Sequence, residues 1–128
     1  MDAATRRFVR ERAENRCEYC GLRQEHSPLA NLQNEHILPK KHGGGDDAEN
    51  LALACIDCNL HKGTNLAGID PQTGKVAAVF NPRKQLWSDH FEWQGAWIVG
   101  LTPIGRATVA VLDLNDEPRL ELRMLHRS

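Results

Sequence analysis

Two cysteine pairs, Cys17-x-x-Cys20 and Cys55-x-x-Cys58, together with Glu35-His36, Asn50 and Asn59, are the residues whose types and spacing could do chemistry. Two C-x-x-C pairs suit a tetrahedral Zn²⁺ site. A closed shell of four thiolates leaves no position for water, so such a zinc is structural. The pairs stand 34 residues apart, further than in a compact zinc ribbon. A segment is therefore inserted between the two halves of the knuckle, and it carries Glu35, His36 and Asn50.

That insert has the raw material for phosphodiester hydrolysis. A water must lose a proton as it attacks, and a cation must stabilise the charge that gathers on phosphorus and on the leaving oxygen. One neutral histidine as base and one divalent metal on oxygen ligands is the lightest machinery that does both. Histidine titrates near neutrality and accepts a proton at cellular pH. Alone, Glu35-His36 reads as an ordinary surface pair; its place between the cysteine pairs makes it a candidate site.

The run Asn34-Glu35-His36-Ile37-Leu38-Pro39, then Gly43-Gly44, Glu49-Asn50-Leu51 and Cys55-x-x-Cys58-Asn59-x-x-Lys62-Gly63 resembles the HNH endonuclease family. The resemblance covers roughly residues 16 to 64. It implies a ββα-metal fold in the version whose cysteine pairs hold a structural zinc. It also implies roles by position: His36 as the general base, Glu35 and Asn59 as ligands of a catalytic Mg²⁺ or Mn²⁺, and Asn50 as the residue that pins the loop and helps orient the base. Many members have histidine where this chain has Asn59, whose carbonyl oxygen suits a hard cation. His61 is a second candidate for that position. On a helix the two side chains point about 200° apart, so only one can face the metal. Lys62, Lys40 and Lys41 are expected at nucleic-acid phosphates.

The elements that must position these residues follow from pattern. Residues 3 to 15 read as a helix, with Phe8, Val9 and Ala13 at roughly helical spacing. Residues 21 to 31, with Gly, Ser and Pro, read as loop. Residues 32 to 38 read as a strand stopped by Pro39, Leu51 to Ala54 as a second strand, and 56 to 66 as a short helix. Neighbours on a strand point to opposite faces, so Glu35 and His36 reach one site only if the strand ends or bulges there. Residues 67 to 82 look like turns around one apolar piece, Val76 to Phe80. Trp87, Phe91, Trp93 and Trp97 read as an aromatic packing cluster. Thr102-Pro103 is a helix start, and a last helix follows from Asp116 to about His126.

The expected class is α+β: a ββα-metal core with a four-cysteine knuckle over 1–66, an N-terminal helix, and a C-terminal α/β extension over 67–128 packed on the core as one domain. The formal charge is −1, with 16 Lys+Arg against 17 Asp+Glu, which argues against a tight generic clamp on DNA. Arg6, Arg7, Arg10, Arg12 and Arg16 crowd the first segment; the plain reading is a solvated helix face, the sharper one a contact with the DNA backbone. No apolar run approaches the length of a membrane span, and no signal-peptide core opens the chain, so a cytoplasmic protein is expected. The reading is a metal-dependent endonuclease acting on DNA, with a non-catalytic zinc-bound module for nucleic acid or protein as the alternative. A homodimer is the way two single sites would break both strands, and a modified-base pocket in the C-terminal half is left open.

Overall fold

Asp2 accepts a hydrogen bond from the Thr5 amide (2.8 Å) and starts α1 (Ala3–Arg12) in the computed structural model. The helix ends where Glu14 and Asn15 adopt positive φ, 54° and 55°, and the Asn15 amide reaches back to the Arg10 carbonyl. It is shorter than its pattern suggested because that left-handed turn must deliver the chain into Cys17. The structure describes residues 1–27 and 29–126; Pro28, read from the sequence as loop, and Arg127 and Ser128 lie outside the described residues. Among the described residues no helix is long and apolar enough to cross a membrane.

The chain forms two compact units, Met1–Thr64 and Asn65–Ser128. In the first, β1 (Gln33–His36) pairs antiparallel with β2 (Leu51–Ala54), with His36 opposite Leu51 and Glu35 opposite Ala52. Every residue of β2 is buried, as a run of Leu and Ala suits. α1 packs on β2, and α2 (Ile56–Lys62) packs on β1. The order strand, loop, strand, helix, with a buried four-cysteine cluster, is the architecture expected of a ββα core with a zinc knuckle. The helix stops at Lys62 because Gly63 takes φ 51°.

The second unit is richer in strand than its sequence suggested. β3 (Ala67–Ile69) pairs with β4 (Val76–Ala78), and β5 (Phe91–Gln94) with β6 (Trp97–Gly100), both antiparallel. α3 (Trp87–His90) runs directly into β5. The aromatic cluster is thus a hairpin: Gly95, at φ 61°, turns it, and alternation buries Phe91 while leaving Trp97 half-exposed. α4 (Pro103–Val111) starts on the Thr102 cap as expected and packs on β3, β4 and β6. A Cβ on Gly105 would come 2.0 Å from the His90 carbonyl, so only glycine allows this close approach. α5 (Glu117–His126) sends Arg119 and Arg123 inward, where their guanidinium groups donate to the carbonyls of Leu112 and Leu114 in the turn that follows α4.

Asp70 organises the β3–β4 turn. It accepts from the Gln72 amide and Thr73 hydroxyl and makes a two-pronged pair with Arg106, both bonds 2.9 Å. Hydrogen bonding to Arg106 holds its carboxyl well below the usual range. A carboxylate with a lowered folded pKa stabilises the protein above its ordinary value and stops doing so as pH falls through the lowered one. Asp70→Asn is therefore expected to melt at a lower temperature at pH 7, and its gap from wild type should close as the pH drops below about 4. Tryptophan fluorescence melts check this, because all three tryptophans lie in this unit. A gap that stays constant down to about pH 2 would contradict it.

Candidate active site

The four cysteines are all buried, and their sulfurs lie within 4.8 Å of one another. Sulfurs at about 2.3 Å from a central zinc in a tetrahedron stand about 3.8 Å apart; Cys20 and Cys55 are separated by 3.7 Å. The second cysteine of each pair donates its amide to the first one's sulfur, Cys20 to Cys17 at 3.5 Å and Cys58 to Cys55 at 3.4 Å. Such donation favours thiolates. Burial pushes the Cys17 thiol up, and contact with the other sulfurs pushes Cys58 up, so a cation is what lets the four ionise together. The cluster suits a structural zinc.

Strand alternation decides the rest. Gln33 and Glu35 come off one face of β1 towards α2. The Asn59 amide nitrogen donates to Gln33 Oε1 (2.6 Å), and Glu35 is 3% exposed, with Lys62 Nζ 2.5 Å from Oε1 and the Tyr19 hydroxyl 2.7 Å from Oε2. Burial raises the Glu35 carboxyl above its ordinary range, against the pull of Lys62 and Tyr19. Lys62, expected at a phosphate, is instead 2% exposed; its ammonium also donates to the His36 and Ile37 carbonyls. Tyr19 sits between two cysteines of the knuckle, so the zinc site and Glu35 share a brace.

Asn34 and His36 come off the other face. They line an open cleft of about 510 Å³ with Arg6, Arg10, Lys40 and Asp46. His36 Nε2 is 2.7 Å from Asp46 Oδ1. Hydrogen bonding to His36 lowers the Asp46 carboxyl to about 2, so the carboxylate can only accept. Nε2 then carries the proton of the neutral ring, and Nδ1 keeps its lone pair. Lys40 Nζ lies 3.5 Å from the same Asp46 oxygen. Lys41 is exposed and does not line the cleft.

Asn50 ties the loop that presents Asp46. Its Oδ1 accepts from the Leu38 amide (2.8 Å), and its Nδ2 donates to the carbonyls of Leu38 (3.0 Å) and Gly45 (2.9 Å). The loop passes so close that a Cβ on Gly44 would meet the Leu38 oxygen at 1.7 Å. His61 is exposed on α2, away from β1's bonds to Asn59 and Lys62. His42 Nε2 meets the Thr64 carbonyl at 3.2 Å.

A family model for HNH endonuclease matches residues 17–65. That segment is similar to the HNH endonuclease family. The HNH match starts at the first cysteine and ends just past α2, so it contains the knuckle, both strands and the Asn50 loop and leaves α1 outside. Over 112 residues the chain is 30% identical to the Septu protein PtuB of Bacillus thuringiensis. The match covers 86% of this chain and 40% of that relative, so the chain spans less than half of PtuB's length. No solved structure matches the chain significantly.

The sequence pointed to Glu35, His36, Asn50 and Asn59. It missed Asp46 and Tyr19, which hold His36 and Glu35. Asp46 is separated from His36 by a glycine-rich loop whose path no local pattern fixes. Tyr19 looked like knuckle filler.

Proposed function

We propose that this chain is a metal-dependent HNH endonuclease that hydrolyses phosphodiester bonds in DNA, with His36 as the general base. One observation carries the reading: His36 stands in an open polar cleft with Asp46 on Nε2, which leaves Nδ1 to take a proton from water. Asp46 orients the ring and stabilises the imidazolium that forms. Asn50 acts at one remove, by fixing the loop between Leu38 and Gly45 from which Asp46 projects.

Glu35 and Asn59 would hold the divalent cation. Their donor types suit one, and the single bond of Asn59 to Gln33 leaves its Oδ1 available, but Lys62 and Tyr19 occupy both Glu35 oxygens on the face of β1 opposite His36, so in this conformation the pair does not share the His36 cleft. Carboxylate and amide oxygens suit Mg²⁺ or Mn²⁺. A cation held there would supply charge stabilisation at a phosphate and its leaving oxygen, but only where Glu35 gives up the Lys62 ammonium and shares a site with His36. Lys62 competes for the same carboxylate. Lys40, two-thirds exposed beside Asp46, is the lysine in position to meet a phosphate.

Plasmid nicking by zinc-loaded protein tests the reading, with no added metal, with Mg²⁺ and with Mn²⁺. The expected result is metal-dependent nicking of one strand at a time, since each chain carries one such site. The second reading, a non-catalytic module, is favoured by the closed Glu35–Lys62 pair; a folded, zinc-loaded protein that binds DNA and cuts nothing with either metal would establish it.

A further inference from the structure

Helix α1 lies before the matched HNH segment, yet it forms one wall of the His36 cleft. We propose that Arg6 and Arg10 of α1 grip the phosphodiester backbone of the nucleic-acid strand that enters this cleft. The inference rests on the nuclease reading for the identity of the ligand and adds the residues that seat it.

Four observations support it. Arg6 and Arg10 are four residues apart, so both side chains leave α1 on the same face, and both line the cleft. Arg6 is exposed and forms no ion pair or side-chain hydrogen bond among the described residues, which leaves its planar fork of donors available. Arg10 is half-buried and anchored by a single bond from Nη2 to the Leu32 carbonyl (3.3 Å), which aims the group and leaves its other donors unused. Asn34 lines the same cleft, and its side-chain Oδ1 is buried with no hydrogen-bond partner among the described residues.

Charge agrees. The whole chain is −1, but the cleft brings together Arg6, Arg10 and Lys40 against one carboxylate, Asp46, which His36 and Lys40 already engage. A local excess of cations around the proposed base is what a polyanion needs, and guanidinium forks match phosphate oxygens. Arg7, one position along, is exposed and does not line the cleft.

Fluorescence anisotropy tests the proposal, with a labelled duplex of about 20 base pairs and the matching single strand as probes. Zinc-loaded full chain is titrated without Mg²⁺ or Mn²⁺, from about 50 to about 200 mM salt. Wild type is compared with R6Q/R10Q, R6Q, R7Q and R6K/R10K. For R6Q/R10Q we expect binding weakened about tenfold or more, and the slope of log Kd against log salt reduced by about 2. R6Q, which touches nothing structural, should reduce the slope by about 1. R7Q should bind within about twofold of wild type, and R6K/R10K should recover most of the salt slope. Which probe loses more identifies the strand form. No binding by wild type, an unchanged R6Q/R10Q, or an equal loss in R7Q would each overturn the proposal. A protein that binds through these arginines but never cuts would overturn only the nuclease reading. One that cuts while R6Q/R10Q binds like wild type would overturn only this inference.

Discussion

Removing the metal from the four cysteines, by chelation or by Cys55→Ser, is expected to unfold the Met1–Thr64 unit. Among the described residues, four of the eleven buried hydrophobics in that unit are the cysteines themselves, so more than a third of its core depends on them. Structural zinc contributes about 10–16 kcal/mol to such folds, while a whole domain is stable by only about 5–15 kcal/mol. No rearrangement of Val9, Leu32 and the Leu51–Ala54 strand can replace that. Loss of the knuckle also frees Tyr19 from Glu35 and Glu18 from the Leu53 amide, which its carboxylate accepts at 2.7 Å. Tyr19 is the only tyrosine, and the three tryptophans lie in the other unit, so near-ultraviolet circular dichroism separates the two. The tyrosine signal should collapse as chelator takes the metal. Preserved tyrosine ellipticity and preserved amide protection in β1 and β2 after metal loss would show that the cysteines are ordinary core.

Lys62→Met should cost about 3–5 kcal/mol, the loss seen when one partner of a buried ion pair is removed. Lys62 and Glu35 are 2% and 3% exposed, and the ammonium also satisfies two backbone carbonyls at the end of β1. Without it, the Glu35 carboxylate keeps only the Tyr19 hydroxyl. Burial already raises that carboxyl, and the variant will raise it further. A carboxyl whose folded pKa lies above its unfolded value binds more protons folded than unfolded, so the variant loses stability as pH rises from about 4 through the folded value. Glu35→Gln added to Lys62→Met should recover much of the loss, because a neutral amide replaces the unpaired charge. Denaturant melts of the single and double variants measure this. A loss under about 1 kcal/mol, the size of a surface pair, would mean that the two groups do not meet inside the protein.

The Lys62 result shows where sequence reading stops. A lysine in a short polar helix reads as surface, because lysine is rarely buried unless paired; its partner here is 27 positions away and visible only once β1 lies against α2. The cysteine pairs were legible because metal geometry imposes a fixed local spacing. The Leu51–Ala54 strand and the Thr102-Pro103 helix start were legible for similar local reasons. The strand end expected to bring Glu35 and His36 to one site does not do so: β1 stays paired through His36, and alternation leaves the two on opposite faces. Asp46 was not legible, since three glycines leave the loop path to be set by Asn50 and by backbone contact at Gly44. The β5–β6 hairpin escaped because Phe91, Trp93, Trp97 and Ile98 were read for bulk rather than for their period of two.

The most direct test of His36 as the base is the single-turnover cleavage rate of His36→Ala against wild type on the same plasmid, in Mn²⁺, with zinc content and circular dichroism matched. The side chain is about one-quarter exposed and bonded only to Asp46, so its removal leaves the fold in place. Loss of a general base lowers the rate by about 10²–10⁴-fold, and that loss with unchanged DNA affinity is the expected result. A His36→Ala protein that cuts within about threefold of wild type would contradict the assignment and move the chemistry out of the His36–Asp46 cleft.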